Sequence, residues 1–599
     1  MSDATAGGDE RGEKRTDGGE SLSGISRRQQ TASGWVEAHA LTLVAVVTGV
    51  VLLVLFYYPI ATVLVEAVVD DGELTFAPLA GVLTSRFYLV EIIGFTAYQA
   101  ALSTVASVAL GLPGAWVLSR FEFRGRETVR SLTILPFVLP SIMVAIGFVA
   151  TFGANGTLNR LLSLFGLGPV NLLYTLPAII VAHAFYNAPL VTRMTTAAWE
   201  SVDARTVETA RSLGASPARA FLDVVFPQLV PAILVSATLT FVFTFASFPI
   251  VLALGGLQYA TIEVFVYYRV QQLAYADAAA LAVVETAVSL GLTYAYLRYE
   301  AKQQTAAFGA GAQPAPRKRL LPESLRGLSA RDVLSRVAVS GYGVVVLLVF
   351  VAPIVSMLLS SVTAPDGSLT TRYYEFLLQR QATAAAFQVK PLPAVLNSLL
   401  FGVGTLLLAL PMGVVMAVLT TRRYRGRKVV DALSMAPLAV SGIVVGLGLL
   451  RGLVFGFEAF GYRFTVAGAI AIVAAHAVSA YPFVTRNVAP LLGNLDAKLV
   501  ESARSLGASR TRALWDIELP LVAAGVVAGA AFAFAISIGE FDATVILATG
   551  SNSYTMPVAV ERYLGRRLGP ATAMGCILLF VTSLSFVVIE RFGGRSRGV

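Results

Sequence analysis

The run Ala210-Arg211-Ser212-Leu213-Gly214-Ala215-Ser216 recurs letter for letter as Ala503-Arg504-Ser505-Leu506-Gly507-Ala508-Ser509, 293 residues further on. The correspondence extends outward at the same offset. His183, Pro189 and Val191-Thr192-Arg193 return as His476, Pro482 and Val484-Thr485-Arg486, and Pro227 returns as Pro520. Further upstream, Gly125, Pro136 and Gly147 match Gly426, Pro437 and Gly448 at an offset of 301. The eight-residue difference falls in one connecting loop of each half, where a change of length costs little. The chain is an internal duplication.

The composition says what is duplicated. Of 599 residues, 56% are hydrophobic and 14% charged, against roughly 45–50% and 25% in soluble domains. That balance excludes a soluble enzyme, a disordered protein and a nucleic-acid binder. Cys576 is the single cysteine, so no intrachain disulfide or thiolate metal cluster exists, and three histidines leave little scope for zinc. Twelve stretches reach the roughly 20 apolar residues a membrane-crossing helix needs: approximately 41–66, 92–118, 131–152, 171–192, 228–254, 278–297, 337–360, 395–420, 432–450, 466–485, 521–548 and 571–590. The expected fold is an all-α polytopic membrane protein.

The basic residues supply an independent test. With the N-terminus inside, cytoplasmic segments hold 34 of the 45 Lys and Arg and external loops hold 11, none within a span. This is the positive-inside pattern, and it places both termini in the cytoplasm of a cell-membrane protein. It also accounts for the net charge of +9 without nucleic acid. Arg27-Arg28 resembles a twin-arginine signal, but the apolar stretch from Leu41 is too long for a signal sequence and reads as the first span.

Six spans per half is an even number, so the second half enters the membrane in the same sense as the first. The repeat is parallel, related by an axis along the membrane normal. The expected layout is a disordered tail (1–35), a first repeat (36–298), a linker (299–335) carrying Arg317-Lys318-Arg319, and a second repeat (336–599).

Both copies of the heptapeptide lie in a loop between the fourth and fifth spans of their half, at 203–227 and 496–520. Asp203 to Leu213 reads as a short helix with Val207, Ala210 and Leu213 on one side. Gly214 suits the left-handed position that ends it. Ser216-Pro217 then reads as an N-cap followed by proline at the first helical position. The second copy repeats this with Leu506, Gly507, Ser509 and Pro520, although Arg510 stands where the first copy has Pro217. Two helix–Gly–helix elbows on the same face suggest a two-fold partner there. Amphipathic helices resting on the membrane surface are the plainer alternative.

Glu208-Thr209-Ala210, Gly214 and Phe226-Pro227 resemble the EAA loop of permease subunits of binding-protein-dependent ABC importers. Glu501-Ser502-Ala503, Gly507 and Leu519-Pro520 resemble a second. Thr209 and Ser502 replace the family's middle alanine. The resemblance covers both halves and implies a type I importer permease, with spans one and seven accessory to two five-helix cores. It implies that Glu208, Ala210, Gly214 and Pro227, with Glu501, Ala503, Gly507 and Pro520, form coupling elements seated in two copies of a cytoplasmic ATP-binding subunit. An extracytoplasmic binding protein would deliver the substrate. Fused permeases of this size are similar to those for thiamine and ferric iron. A secondary active transporter of twelve spans and an ABC permease for another solute stay open.

No phosphate-binding G-x-x-x-x-G-K-[ST] run occurs, since none of the six lysines follows a glycine. ATP is therefore expected on a partner chain, with no catalytic residue, cofactor or metal here. Ionisable groups within spans are costly and count as functional candidates. Glu540 and Asp542 sit toward the outer end of span eleven, where the first half has Ser247 and Pro249. Ser247, Glu540 and Asp542 are thus candidates for a path carrying a cation; a solvated helix end or interhelical hydrogen bonds would also explain the two acids. Glu285 reads as an interior polar contact or a protonated carboxyl. His183 and His476 read as interhelical hydrogen-bonding groups or, less simply, metal ligands. Thr261–Tyr267 and Thr555–Glu561 correspond across the halves and read as contacts for the binding protein, a cap on the path, or packing.

Overall fold

The computed structural model of the chain describes residues 40–70, 73–132, 139–304, 316–320, 330–379, 389–548, 550 and 552–593. The expected tail, Arg27-Arg28, Pro136 and most of the linker lie outside these residues. Nine helices of the first half carry the argument: α1 (Ala40–Glu66), α2 (Phe87–Arg120), α3 (Ser141–Phe152), α4 (Leu176–Glu200), α5 (Ala204–Ser212), α6 (Pro217–Phe245), α7 (Pro249–Gly255), α8 (Ile262–Gln271) and α9 (Tyr275–Gln304). Each has a mate in the second half: α10 (Asp332–Val362), α11 (Pro391–Thr421), α12 (Gly442–Val454), α13 (Gly468–Gly493), α14 (Ala497–Ser505), α15 (Ala523–Gly539), α16 (Asp542–Leu547), α17 (Met556–Leu564) and α18 (Leu568–Gly593).

Among the described residues, nine helices are long and apolar enough to cross a bilayer. The number is eleven when two bent pairs, Arg427–Ala439 with α12 and Arg510–Leu521 with α15, each make one span. The helix α4, 25 residues long, is not among them, although its mate α13 is.

Three expected spans need correction. Stretch 432–450 is bent by 96° between Ala439 and Gly442. Stretches 228–254 and 521–548 are not continuous helices, because α6 ends at Phe245 before α7, and α15 ends at Gly539 before α16. Both sides of each break are apolar, so hydropathy alone joins them. Within the expected linker, α9 runs on to Gln304, and helical structure resumes at Ala330, two residues before α10.

Proline sets the local irregularities. A π-helical turn precedes Pro59, Pro227, Pro353 and Pro520, at Leu53–Tyr57, Phe221–Val225, Leu347–Val351 and Leu514–Glu518. Wider turns accommodate a ring that would otherwise strike the carbonyl one turn back. The repeat preserves all four in pairs.

The two halves are interlaced. First-half α1 packs on second-half α12, and second-half α10 packs on first-half α3. Gly147 and Gly448, matched in the sequence, mark these crossings. A Cβ on Gly448 would lie 2.4 Å from the Pro59 carbonyl oxygen, and one on Gly147 would lie 3.1 Å from that of Pro353. The exchanged helices are otherwise peripheral, each only 17% buried over its apolar window. This fits their expected accessory place. On the axis between the halves, the repeat mates Phe248 and Phe541 stack, with ring centroids 5.5 Å apart and planes at 15°.

The basic linker cluster is tied to the first half. Lys318–Arg319 pairs as a short parallel strand with Phe121–Glu122. Arg317 reaches Glu200 at 2.9 Å, which Arg126 also meets at 2.8 Å.

Candidate functional site

The loops 203–227 and 496–520 fold alike, and the first helix of each stands clear of the bundle; neither α5 nor α14 has a buried residue. Asp203 caps α5 by accepting from Arg205 N at 3.1 Å, and Asp496 caps α14 from Lys498 N at 3.0 Å. Each helix ends in a Schellman arrangement. Ala215 N donates to Ala210 O and Gly214 N to Arg211 O, both at 3.0 Å, and Ala508 and Gly507 do the same to Ala503 and Arg504. Gly214 and Gly507 both adopt φ of +91°. Ser216 and Ser509 then cap the next turn from Arg219 N and Arg512 N at 3.2 Å. The geometry thrusts one leucine from each elbow into the open: Leu213 is 84% exposed and Leu506 90%. Glu208 and Glu501 are exposed beside them, Ala210 and Ala503 are half-buried, and Pro227 and Pro520 are exposed where the chain re-enters the bundle.

The helix breaks bring the second set of candidates together. Ser247 lies between α6 and α7, and Glu540 lies between α15 and α16. Glu540 follows the last residue of α15 directly, and Asp542 opens α16. Both stand at an interruption, the element from which transporters commonly build binding sites.

The two acids have different surroundings. Glu540 accepts from Ala543 N at 2.7 Å and Thr544 N at 3.1 Å, so it caps α16, and it also takes the Thr544 hydroxyl. His476 Nε2 lies 3.1 Å away. Its carboxylate is fully engaged, and interhelical bonding is the reading that fits. Asp542 is half-buried and, among the described residues, has no hydrogen-bond partner.

Both histidines join helices. His183 bonds Ser103 at 3.1 Å and Ser247 at 2.9 Å, and His476 bonds Ser537 and Thr544 at 2.8 Å each. No group of three metal-ligating side chains forms among the described residues. Glu285 is buried and accepts from Ser441 at 3.2 Å, beside the buried Glu263. Of the corresponding outer segments, Ile262, Val264 and Val266 and their counterparts Met556, Val558 and Val560 are fully buried, which fits packing.

Between the halves lies a cavity of about 390 Å³, lined by α4, α6 and α7 on one side and by α13, α15 and Asp542 on the other. Ser247 and Asp542 line it; Glu540 does not. Its polar wall also includes Tyr186, Asn187 and Ser479. Asn187 donates to His183 O at 3.0 Å, while its own buried carbonyl oxygen has no partner. Sequence reasoning missed these three. An asparagine one helical turn beyond His183, inside an apolar span, was the available signal. No lysine or arginine lines the cavity, whereas aromatic rings such as Phe243 and Phe532 do.

A duplicated bilayer body with a cavity on its axis and paired elbows on one face is the frame of a two-half membrane transport protein. Residues 107–299 and 409–598 both match the family model described as binding-protein-dependent transport system inner membrane component, and the chain belongs to that family. It is 25% identical to the ferric transport system permease protein FbpB of Actinobacillus pleuropneumoniae, over 93% of this chain and 79% of that protein. It is 27% identical to the thiamine transport system permease protein ThiP of Haemophilus influenzae, over 84% and 89%. A solved bacterial ABC transporter involved in import of the acidic polysaccharide alginate aligns at 19% identity over 47% of this chain and 99% of its own, with a TM-score of 0.37.

Proposed function

We propose that this permease carries an organic cation of the thiamine kind across the membrane, through the cavity between its halves. One observation carries the reading: Asp542 offers an unpaired carboxylate to a cavity that, among the described residues, no lysine or arginine lines. An aromatic wall suits an organic cation, because ring faces attract positive charge and cover apolar surface. A bare ferric ion is a poorer fit, since a hard cation needs several oxygen ligands at once, and the described residues assemble no such group.

In this reading two copies of a separate ATP-binding subunit grip the elbows at Leu213 and Leu506, and ATP is bound and hydrolysed only there. An extracytoplasmic binding protein loads the cavity from the other side. Both termini and both elbows face the cytoplasm, an orientation the distribution of basic residues supports. ATP-driven closure of the partner moves the elbows and tilts the halves about the Phe248–Phe541 contact. The test is uptake of labelled thiamine by vesicles containing the permease, its ATPase and its binding protein. Asp542→Asn should lower uptake about 10-fold or more, the usual worth of a hydrogen bond to a charged group. Undiminished uptake in that variant, or saturable ferric uptake in its place, would overturn the assignment.

A further inference from the structure

One place breaks the two-fold likeness at the elbow end of the body. Gly111 and Gly413 occupy equivalent sites, since Thr192 and Thr485 donate to their carbonyls at 2.9 and 3.0 Å. At the end of the helices the offset returns to 301: α2 ends at Arg120, whose mate is Thr421, and Arg422 stands one residue past the end of α11, at the same level of the body. Arg422 is neutralised by the buried Glu518, with both carboxylate oxygens at 2.6 Å. The first-half counterpart of Glu518, at the repeat offset of 293, is Val225. Arg120 accordingly has no ion-pair or hydrogen-bond partner among the described residues.

Arg120 and Val225 line one groove of about 600 Å³ between α2, α4 and α6, with Trp116, Trp199 and Phe221 on its walls. Trp199 and Phe221 stack at 5.7 Å and hold one wall in place. The groove lies at the ends of membrane-crossing helices, where tryptophan favours the headgroup level of a bilayer. It therefore presents an apolar slot closed by an unpaired guanidinium.

We propose that this groove binds an anionic phospholipid, whose phosphate takes at Arg120 the place Glu518 holds at Arg422. Acyl chain fills the apolar wall. The lipid then touches Ala204 and Val207 of the first elbow, which also line the groove; nothing equivalent is needed at the second elbow, which carries its own counter-ion.

The test uses the purified full chain in nanodiscs, with quenching of tryptophan fluorescence by brominated phosphatidylglycerol or brominated phosphatidylcholine. Trp35 and Trp515 are replaced by phenylalanine, so that Trp116 and Trp199 report alone. Preference for the anionic lipid is expected at about fivefold, the worth of one basic residue near an anionic surface. Arg120→Gln should abolish it. Val225→Glu should abolish it too, by rebuilding the ion pair that the second half already tolerates, which guards against loss by misfolding. Arg422→Gln should leave it unchanged. Equal quenching by both lipids, or a preference untouched by Val225→Glu, overturns the proposal. So does competition by inorganic phosphate, which would mark a free-anion site, or loss of the preference when the ATPase subunits are added, which would assign Arg120 to a partner's carboxylate.

Discussion

Asp542 and Glu540 stand two residues apart, yet only one of them has an electrostatic demand left to meet. Glu540 holds the first turn of α16 and contacts His476, so its charge is spent on the fold. Glu540→Gln is expected to destabilise the protein by about 1–3 kcal/mol, the cost of a buried hydrogen-bonding group losing its partner, and to lower the thermal midpoint of the detergent-solubilised chain. Asp542→Asn should leave that midpoint where it was while uptake falls. Paired melting curves separate the two roles, and a reversed result would exchange them. The sequence showed both acids as costly within an apolar span, and their one-sidedness across the repeat. It could not show which was satisfied, because that depends on a turn at Phe541 that brings backbone N–H groups to Glu540. Ser247 was legible only as the repeat mate of Glu540; its bond to His183 needed the break between α6 and α7.

Among the elements, the elbows were the most legible part of the chain, and for a local reason. Capping residue, left-handed glycine and second cap all lie within fifteen residues, so the chemistry is written where it acts. Valine resists the φ of +91° that Gly214 and Gly507 adopt, at about 1–2 kcal/mol per site. The double variant Gly214→Val with Gly507→Val should still insert and still bind substrate, but transport should no longer follow ATP hydrolysis; coupled uptake at the normal ratio would contradict this. The helix exchange was legible only in outline. The matched glycines 147 and 448 were visible as repeats, but what they admit is a proline turn more than 200 residues away in sequence. Gly448→Val should cost about 1–3 kcal/mol by overpacking α1 against α12, and more than Gly147→Ala, whose new methyl meets Pro353 at 3.1 Å rather than 2.4 Å. Thermal unfolding of the two variants checks the order. The broken spans were not legible, because hydropathy sums over a break that has apolar residues on both sides.

At the scale of the whole molecule, interlaced outer helices tie the two repeats into one body. Dependence on a partner for energy would distinguish it from a secondary transporter of the same span number. Uptake should stop when ATP is withheld and persist when the proton gradient is dissipated, in vesicles that hold the complete complex. The central claim is that two equivalent elbows on the cytoplasmic face are each seated in an ATP-binding subunit, and Leu213 and Leu506 test it most directly. In a chain carrying Cys576→Ser, cysteine at either position should cross-link to the ATPase subunit with similar yield and resist membrane-impermeant thiol reagent added to intact cells. Labelling from outside, or capture of lipid alone at both positions, would contradict the account.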